Sequence, residues 1–183
     1  MIDSKEASAA LADIDDIVQR VKQSQLYELA SLVAVWWGVL VFAANFVTWL
    51  WPVYAVYAWV ATDVLGVGGL VVLRLLNPPH ANESGAGLRL LLIFALFFAF
   101  GYLVTNVIGH FGPRQLGAFW PIYFMLFYTL GGLWFGYAFV AIGLGISVLT
   151  LIGFFYIGEA FPLWMAFVNG GGLILGGLWM RRI

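Results

Sequence analysis

The sequence lacks cysteine altogether and has few charged residues. Of its 183 residues only 9% are charged, against roughly 25% in soluble domains. The absence of cysteine excludes disulfides, thiolate metal sites and cysteine nucleophiles. In place of charge the chain is 63% hydrophobic. This composition is typical of a protein whose solvent is lipid, and it predicts an all-α integral membrane protein.

Apolar stretches long enough to cross a bilayer occur about six times. They predict transmembrane helices at about 28–51, 53–76, 88–110, 117–136, 138–157 and 161–180. The boundary between the fourth and fifth helices, near Gly136, carries no charge, so a count of five remains open. Residues 26–183 are therefore predicted to form one transmembrane domain.

Residues 1–25 are predicted to form a separate cytoplasmic segment. Ile14, Ile17, Val18 and Val21 recur at helical spacing among charged residues, which indicates an amphipathic helix. Such a helix lies on the membrane surface, continues the first transmembrane helix, or docks a partner protein or a second copy. Its acidic face is repelled by anionic lipid, which favours a protein partner.

Basic residues predict the orientation. With six spans, one side carries Lys5, Arg20, Lys22, Arg74, Arg89, Arg181 and Arg182, and the other carries Arg114. Cytoplasmic loops are enriched in lysine and arginine, so both termini are predicted to be cytoplasmic.

The predicted helices form three hairpins with recurring features. Segment 101–109, GYLVTNVIG, is similar to 145–153, GISVLTLIG. An aromatic residue and a proline open each second helix, at Trp51 and Pro52, Trp120 and Pro121, and Phe161 and Pro162. Paired glycines then precede a leucine, at 68–69, 131–132 and 171–172. Because small residues let backbones approach closely in lipid, we expect these second helices to pack tightly on their neighbours.

Three such hairpins resemble the HdeD-type acid-resistance membrane proteins of bacteria. The likeness is clearest over residues 140–180. The resemblance implies a six-helix inner-membrane protein with a stress-linked role. It brings no catalytic residues.

Polar side chains concentrate in the predicted outer half of the membrane. Asp63 lies near the middle of the second span, and an ionisable group at that depth is a functional-site hypothesis by default. Neutral polar residues lie about 6–15 Å from the outer ends of the other spans: Asn45, Asn106, Thr129, Thr150 and Asn169.

These residues predict a polar cavity open to the outside. Asp63 would form its floor, and His110, Arg114 and Glu159 its rim. The alternative is that the polar groups form interhelical hydrogen bonds. For Asp63 the two interpretations differ. In the cavity it is a proton- or cation-binding acid. In the alternative it is a protonated acid that hydrogen-bonds to Thr62, Asn45 or a tryptophan. His110 and Glu159 are also a possible metal or pH-sensitive pair.

The first functional hypothesis is passage or sensing of a small solute or proton through this cavity. The second is a structural or assembly protein that holds a membrane partner or a second copy. An enzyme acting on lipid or quinone comes third, since the sequence shows no acid–base pair or metal set, and we expect no catalysis and no cofactor. The basic residues are too few and too scattered for nucleic-acid binding.

Overall fold

The fold is described from a computed structural model, which covers the backbone of residues 4–76 and 86–182. Within these ranges every regular element is helical. Residues 77–85, between the second and third predicted spans, lie outside the described residues.

The first helix, α1, runs without a break over Ser4–Leu50. Of the alternatives for residues 1–25, the described backbone from Ser4 onward therefore continues the first transmembrane helix. The apolar part that could cross a membrane is Gln23–Leu50. At 1.5 Å per residue, the part of α1 before Gln23 extends about 28 Å beyond that span.

The second helix follows a proline turn. A 3₁₀ turn at Pro52–Tyr54 leads into α2, Ala55–Leu76. Pro52 takes the first position of the turn, where its missing N–H is no loss. After the undescribed segment, α3 occupies Ala86–Tyr102 and continues as a π-helix over Leu103–Ile108.

Three further helical segments complete the bundle. Helix α4 is Pro113–Phe135 and α5 is Tyr137–Tyr156. The last span, Phe161–Met180, consists of α6 at Phe161–Met165, a π-helix at Ala166–Gly171 and α7 at Gly172–Met180.

The predicted membrane architecture is confirmed in its coarse form. Five helices are long and apolar enough to cross a membrane, and Leu92–Ile108 is a shorter apolar helix. The structure thus has five to six candidate spans, which is the range that the sequence left open. Their ends agree with the predicted ends to within a few residues.

The uncharged boundary near Gly136 is a true break between α4 and α5. Gly136 has φ +131°, a conformation that L side chains rarely adopt. The hydroxyl of Tyr27 also occupies the space where a Cβ at position 136 would lie. Glycine therefore permits both the turn and the contact with α1.

The proline of the middle hairpin does not open its helix. Pro121 lies inside α4, which begins earlier, at Pro113. The start is fixed by the Gln115 side-chain oxygen, which accepts a 2.7 Å hydrogen bond from the Gly112 N–H. The prediction that Trp120 and Pro121 open the helix was therefore wrong, because a capped Gly-Pro start lies eight residues upstream.

Helix α1 lies between α2 and the last span. The last span also packs on α5, and α5 packs along α4. Helix α3 contacts α4 through aromatic rings, among them Phe97 stacked on Tyr123 with centroids 4.0 Å apart. The core lies between α1, α4, α5 and the last span, and includes Tyr27, Ala34, Met125, Ala138, Ile142, Ile146, Val168, Leu173 and Met180.

Glycines set the closest helix contacts. A Cβ at Gly170 would lie 2.6 Å from the Phe42 Cα, so α1 and the last span meet backbone to backbone. In each predicted glycine pair the second member faces a neighbouring helix: Gly69 meets Trp36, Gly132 meets Val140, and Gly172 meets Ile146. The backbone thus comes close to a neighbour at each of these glycines, but only the last span is packed over half of its length, and α2 stays largely exposed.

Candidate functional site

Two of the predicted polar residues hydrogen-bond within their own helices. The Asn45 amide donates to the Val41 carbonyl at 2.9 Å, and the Thr129 hydroxyl donates to the Met125 carbonyl at 2.8 Å. Asn45 is buried and Thr129 is half-buried. Bonding to the preceding turn satisfies these side chains without a ligand.

Thr150 and Asn169 differ from them, because each is buried with an unpartnered oxygen. The Thr150 Oγ1 and the Asn169 Oδ1 have no hydrogen-bond partner among the residues that the structure describes. Thr150 is fully buried and Asn169 is 6% exposed. A buried polar atom without a partner is unfavourable, so each is a candidate for binding something polar.

Thr150 and Asn169 lie on elements that are in contact, Thr150 on α5 and Asn169 in the last span. Across this contact the Trp164 indole N–H donates to the Leu149 carbonyl at 2.9 Å. A Cβ at Gly172 would lie 3.0 Å from the Ile146 side chain. These contacts show how α5 packs on the last span, the two elements that carry the unpartnered groups.

Both predicted asparagines of the later spans lie in π-helical segments. Asn169 is within Ala166–Gly171 and Asn106 is within Leu103–Ile108. Short π-helical segments occur frequently at functional sites. Asn106 is nevertheless exposed, and its amide donates to the Thr105 hydroxyl at 2.8 Å.

Asp63 is not part of this buried group. Its side chain lies on the exposed surface of α2, whereas the adjacent Thr62 is buried. Among the described residues nothing hydrogen-bonds or ion-pairs with the Asp63 carboxyl group. Asp63 and Asn106 are exposed while Asn45 and Asn169 are buried, so these four do not line one enclosed space.

Arg114 caps the end of α5. Its guanidinium donates to the carbonyls of Phe154, at 2.6 Å, of Ile157, and of Gly158, at 3.0 Å. It also lies over the Phe161 ring at 5.0 Å from the centroid. The last carbonyls of a helix lack partners and carry partial negative charge, so this cation satisfies them and ties α4 to α5 and α6.

The other two predicted rim residues lie in turns. His110 is exposed and has φ +47°, at the point where the chain leaves the π-helix after α3. Glu159 is exposed in the turn between α5 and α6. Neither takes part in an ion pair within the part of the chain that the structure describes. There, no three His, Asp or Glu residues group closely enough to hold a metal ion.

Sequence reasoning missed two buried polar groups near the start of the apolar part of α1, Gln23–Leu50. The Tyr27 hydroxyl and the Ser31 hydroxyl are buried and have no hydrogen-bond partner within residues 4–76 and 86–182. Both belong to a row at alternating four- and three-residue spacing that is buried throughout: Tyr27, Ser31, Ala34, Gly38, Val41 and Asn45. This small-residue heptad row is visible in the sequence and could have identified the packed face of α1.

An apolar groove of about 320 Å³ lies between α5 and the last span. Gly145, Leu149, Phe167 and Leu175 are among its lining residues, and none of the predicted polar residues lines it. The groove therefore offers packing space without polar recognition.

No family model, curated protein or solved structure matches this chain. The resemblance to HdeD-type proteins stays a prediction.

Proposed function

We propose that this protein is a membrane assembly protein that binds another transmembrane helix along the exposed face of α2. The observation that carries the proposal is the position of Asp63. It lies near the middle of the 22 residues Pro52–Leu73, about 15 Å from either end, exposed and without a described partner.

Energetics favour a neighbour for this side chain. An aspartate at the centre of a transmembrane helix costs about 2.5–3.5 kcal/mol on insertion scales. Asn45 and Thr129 offset their burial through bonds to their own helices, but Asp63 has no such bond in the described structure. A helix that brings a polar or charged group to Asp63 recovers part of that cost.

Helix α2 also has a large exposed apolar surface. Its main contact is with α1. Only 11% of its most apolar stretch is buried, against 50% for the corresponding stretch of Phe161–Met180. A second exposed row lies on the part of α1 that extends beyond the span: Ile14, Ile17, Val18 and Val21. Exposed apolar rows on a helix favour docking of another helix.

Site-specific photo-crosslinking from α2 tests the proposal. A photoreactive residue at Val60, one turn from Asp63, is expected to form a discrete protein adduct in the native membrane. The same probe at Leu133, an exposed position on α4, serves as the matched control and should react with lipid. Replacing Asp63 by leucine should remove the adduct at Val60.

Equal lipid labelling at Val60 and Leu133 contradicts the assembly function. So does an adduct at Val60 that persists in Asp63→Leu, because the acid then has no part in the contact.

Passage or sensing of a small solute or proton is the second candidate function, supported by the unpartnered oxygens of Thr150 and Asn169. In proteoliposomes with an internal pH dye, the wild type should dissipate a proton gradient faster than Asn169→Leu and Thr150→Val. Identical rates for the wild type and both variants count against this candidate. A stress-linked role in a bacterial inner membrane remains a proposal based on the resemblance.

A further inference from the structure

We propose that the transmembrane helix bound by α2 carries a lysine or arginine near the middle of its own span, which pairs with Asp63. The inference rests on the proposed function, because it names the chemistry of the helix that α2 binds.

The exposed face of α2 has the pattern of a helix-packing row. Val56, Val60, Asp63 and Val67 follow one another at spacings of four, three and four residues, and all four are exposed. This is the heptad spacing of helices that pack side by side, which also describes most transmembrane bundles. Valine is stiff at χ1, so such a row loses little rotamer freedom on contact.

The same spacing already makes a helix contact elsewhere in this protein. The buried row of α1 contains Ser31 and Gly38 at this spacing. A Cβ at Gly38 would lie 2.9 Å from the Gly170 carbonyl oxygen, and a Cβ at Gly177 would lie 2.9 Å from the Ser31 carbonyl oxygen. The row on α1 is thus covered by the last span, whereas the row on α2 is uncovered.

Asp63 determines which helix fits the uncovered row. An ionised carboxylate only accepts hydrogen bonds, and a lysine or arginine both donates to it and cancels its charge. Coulomb attraction grows as the local dielectric falls, so the pair is favoured over a neutral amide in the hydrocarbon. One charged position in an otherwise apolar row also fixes the register of the contact.

A second copy of this chain does not supply that charge. Its eight lysines and arginines and two histidines lie outside the candidate spans or at their ends, as Arg74 and Arg114 do. Two copies joined through the same row would place one Asp63 against the other, and like charges at short range disfavour ionisation. A second copy therefore brings no cation to Asp63, and the proposed pairing needs a different polypeptide.

Energy transfer in vesicles tests this pairing. The full chain, labelled at an added terminal cysteine, is reconstituted in phosphatidylcholine vesicles with synthetic polyleucine helices whose central residue is lysine, leucine or aspartate. We expect the lysine helix to associate at least about tenfold more tightly than the leucine helix. Asp63→Asn should reduce the lysine helix to the level of the leucine helix, and Asp63→Lys should transfer the preference to the aspartate helix.

Asn106→Leu is the matched control, since Asn106 is also an exposed polar side chain within a predicted span. It should leave the preference for the lysine helix unchanged. Equal association of the lysine and leucine helices with the wild type overturns the inference.

Two outcomes separate this inference from the proposed function. Energy transfer between two labelled copies that is lost in Asp63→Leu, with no preference for lysine, overturns the inference and keeps the assembly function. Absence of association with any helix or second copy, together with lipid labelling alone at Val60, overturns both.

Discussion

Arg114 shows how a single side chain holds the end of the bundle opposite the N-terminal segment. By the sequence-based topology it is the basic residue that stands apart from the other seven. Its bonds to the carbonyls of Phe154, Ile157 and Gly158 give it a structural reason to be there. A cation at a helix C-terminus is favoured wherever the unpaired carbonyls converge.

We predict that Arg114→Lys destabilises the protein by about 1–2 kcal/mol, since an ammonium group cannot replace a planar fork that reaches three carbonyls. Thermal unfolding in detergent micelles, followed by circular dichroism, measures the loss. Arg181→Ala is the control, because Arg181 is exposed beyond the end of α7 and should leave the midpoint unchanged. An unchanged midpoint for Arg114→Lys would show that charge alone suffices.

For single residues, the sequence predicts well how far along its span a residue lies, but poorly which side of the helix its side chain faces. Asp63 is near mid-span as its position indicates, but its neighbour Thr62 is the one that faces the bundle. A helix that is apolar on every side has no polar face to mark its exposed side. The sequence therefore cannot show which of two adjacent residues faces the bundle. The placement of Asn169 inside and Asn106 outside could not be predicted for the same reason.

Among the elements, the contact between α1 and the last span depends on glycine. We predict that Gly170→Ala destabilises the bundle by about 1–3 kcal/mol, because its Cβ would lie 2.6 Å from the Phe42 Cα in the backbone of α1. Gly171→Ala is the matched control, since the nearest atom to its Cβ is the Ala166 carbonyl oxygen at 4.0 Å. Thermal unfolding of both variants in micelles compares them, and equal midpoints would mean that the two helices separate easily.

The elements themselves were largely predictable, and their irregularities were not. Hydropathy located the spans, and the break at Gly136 was recognised although no charge marks it. The segments 101–109 and 145–153 are similar in sequence. The first is nevertheless π-helical over Leu103–Ile108, whereas the second is α-helical within Tyr137–Tyr156. Each helix packs against different neighbours, and these contacts override similar local sequence.

On the scale of the whole molecule, α2 and the N-terminal part of α1 lie outside a packed centre. The core joins α1, α4, α5 and the last span, whereas α2 depends mainly on α1. Such a division suits an assembly protein, since the centre fixes the fold and the exposed rows remain free to bind. It also predicts that the part of α1 before Gln23 contributes little to stability.

Deleting residues 1–22 should therefore leave the unfolding midpoint nearly unchanged. Ile14, Ile17, Val18 and Val21 are exposed and are not part of the core, so their loss removes little buried apolar surface. The contrasting variant extends the deletion through Tyr27. It removes the core side chain of Tyr27, which packs on Phe139. It also removes Gln23, whose side-chain amide donates a hydrogen bond to the Phe135 carbonyl. Circular dichroism in micelles should show a clear fall for the longer deletion alone. A similar fall for the shorter one would place the N-terminal segment against the bundle and remove it as a binding surface.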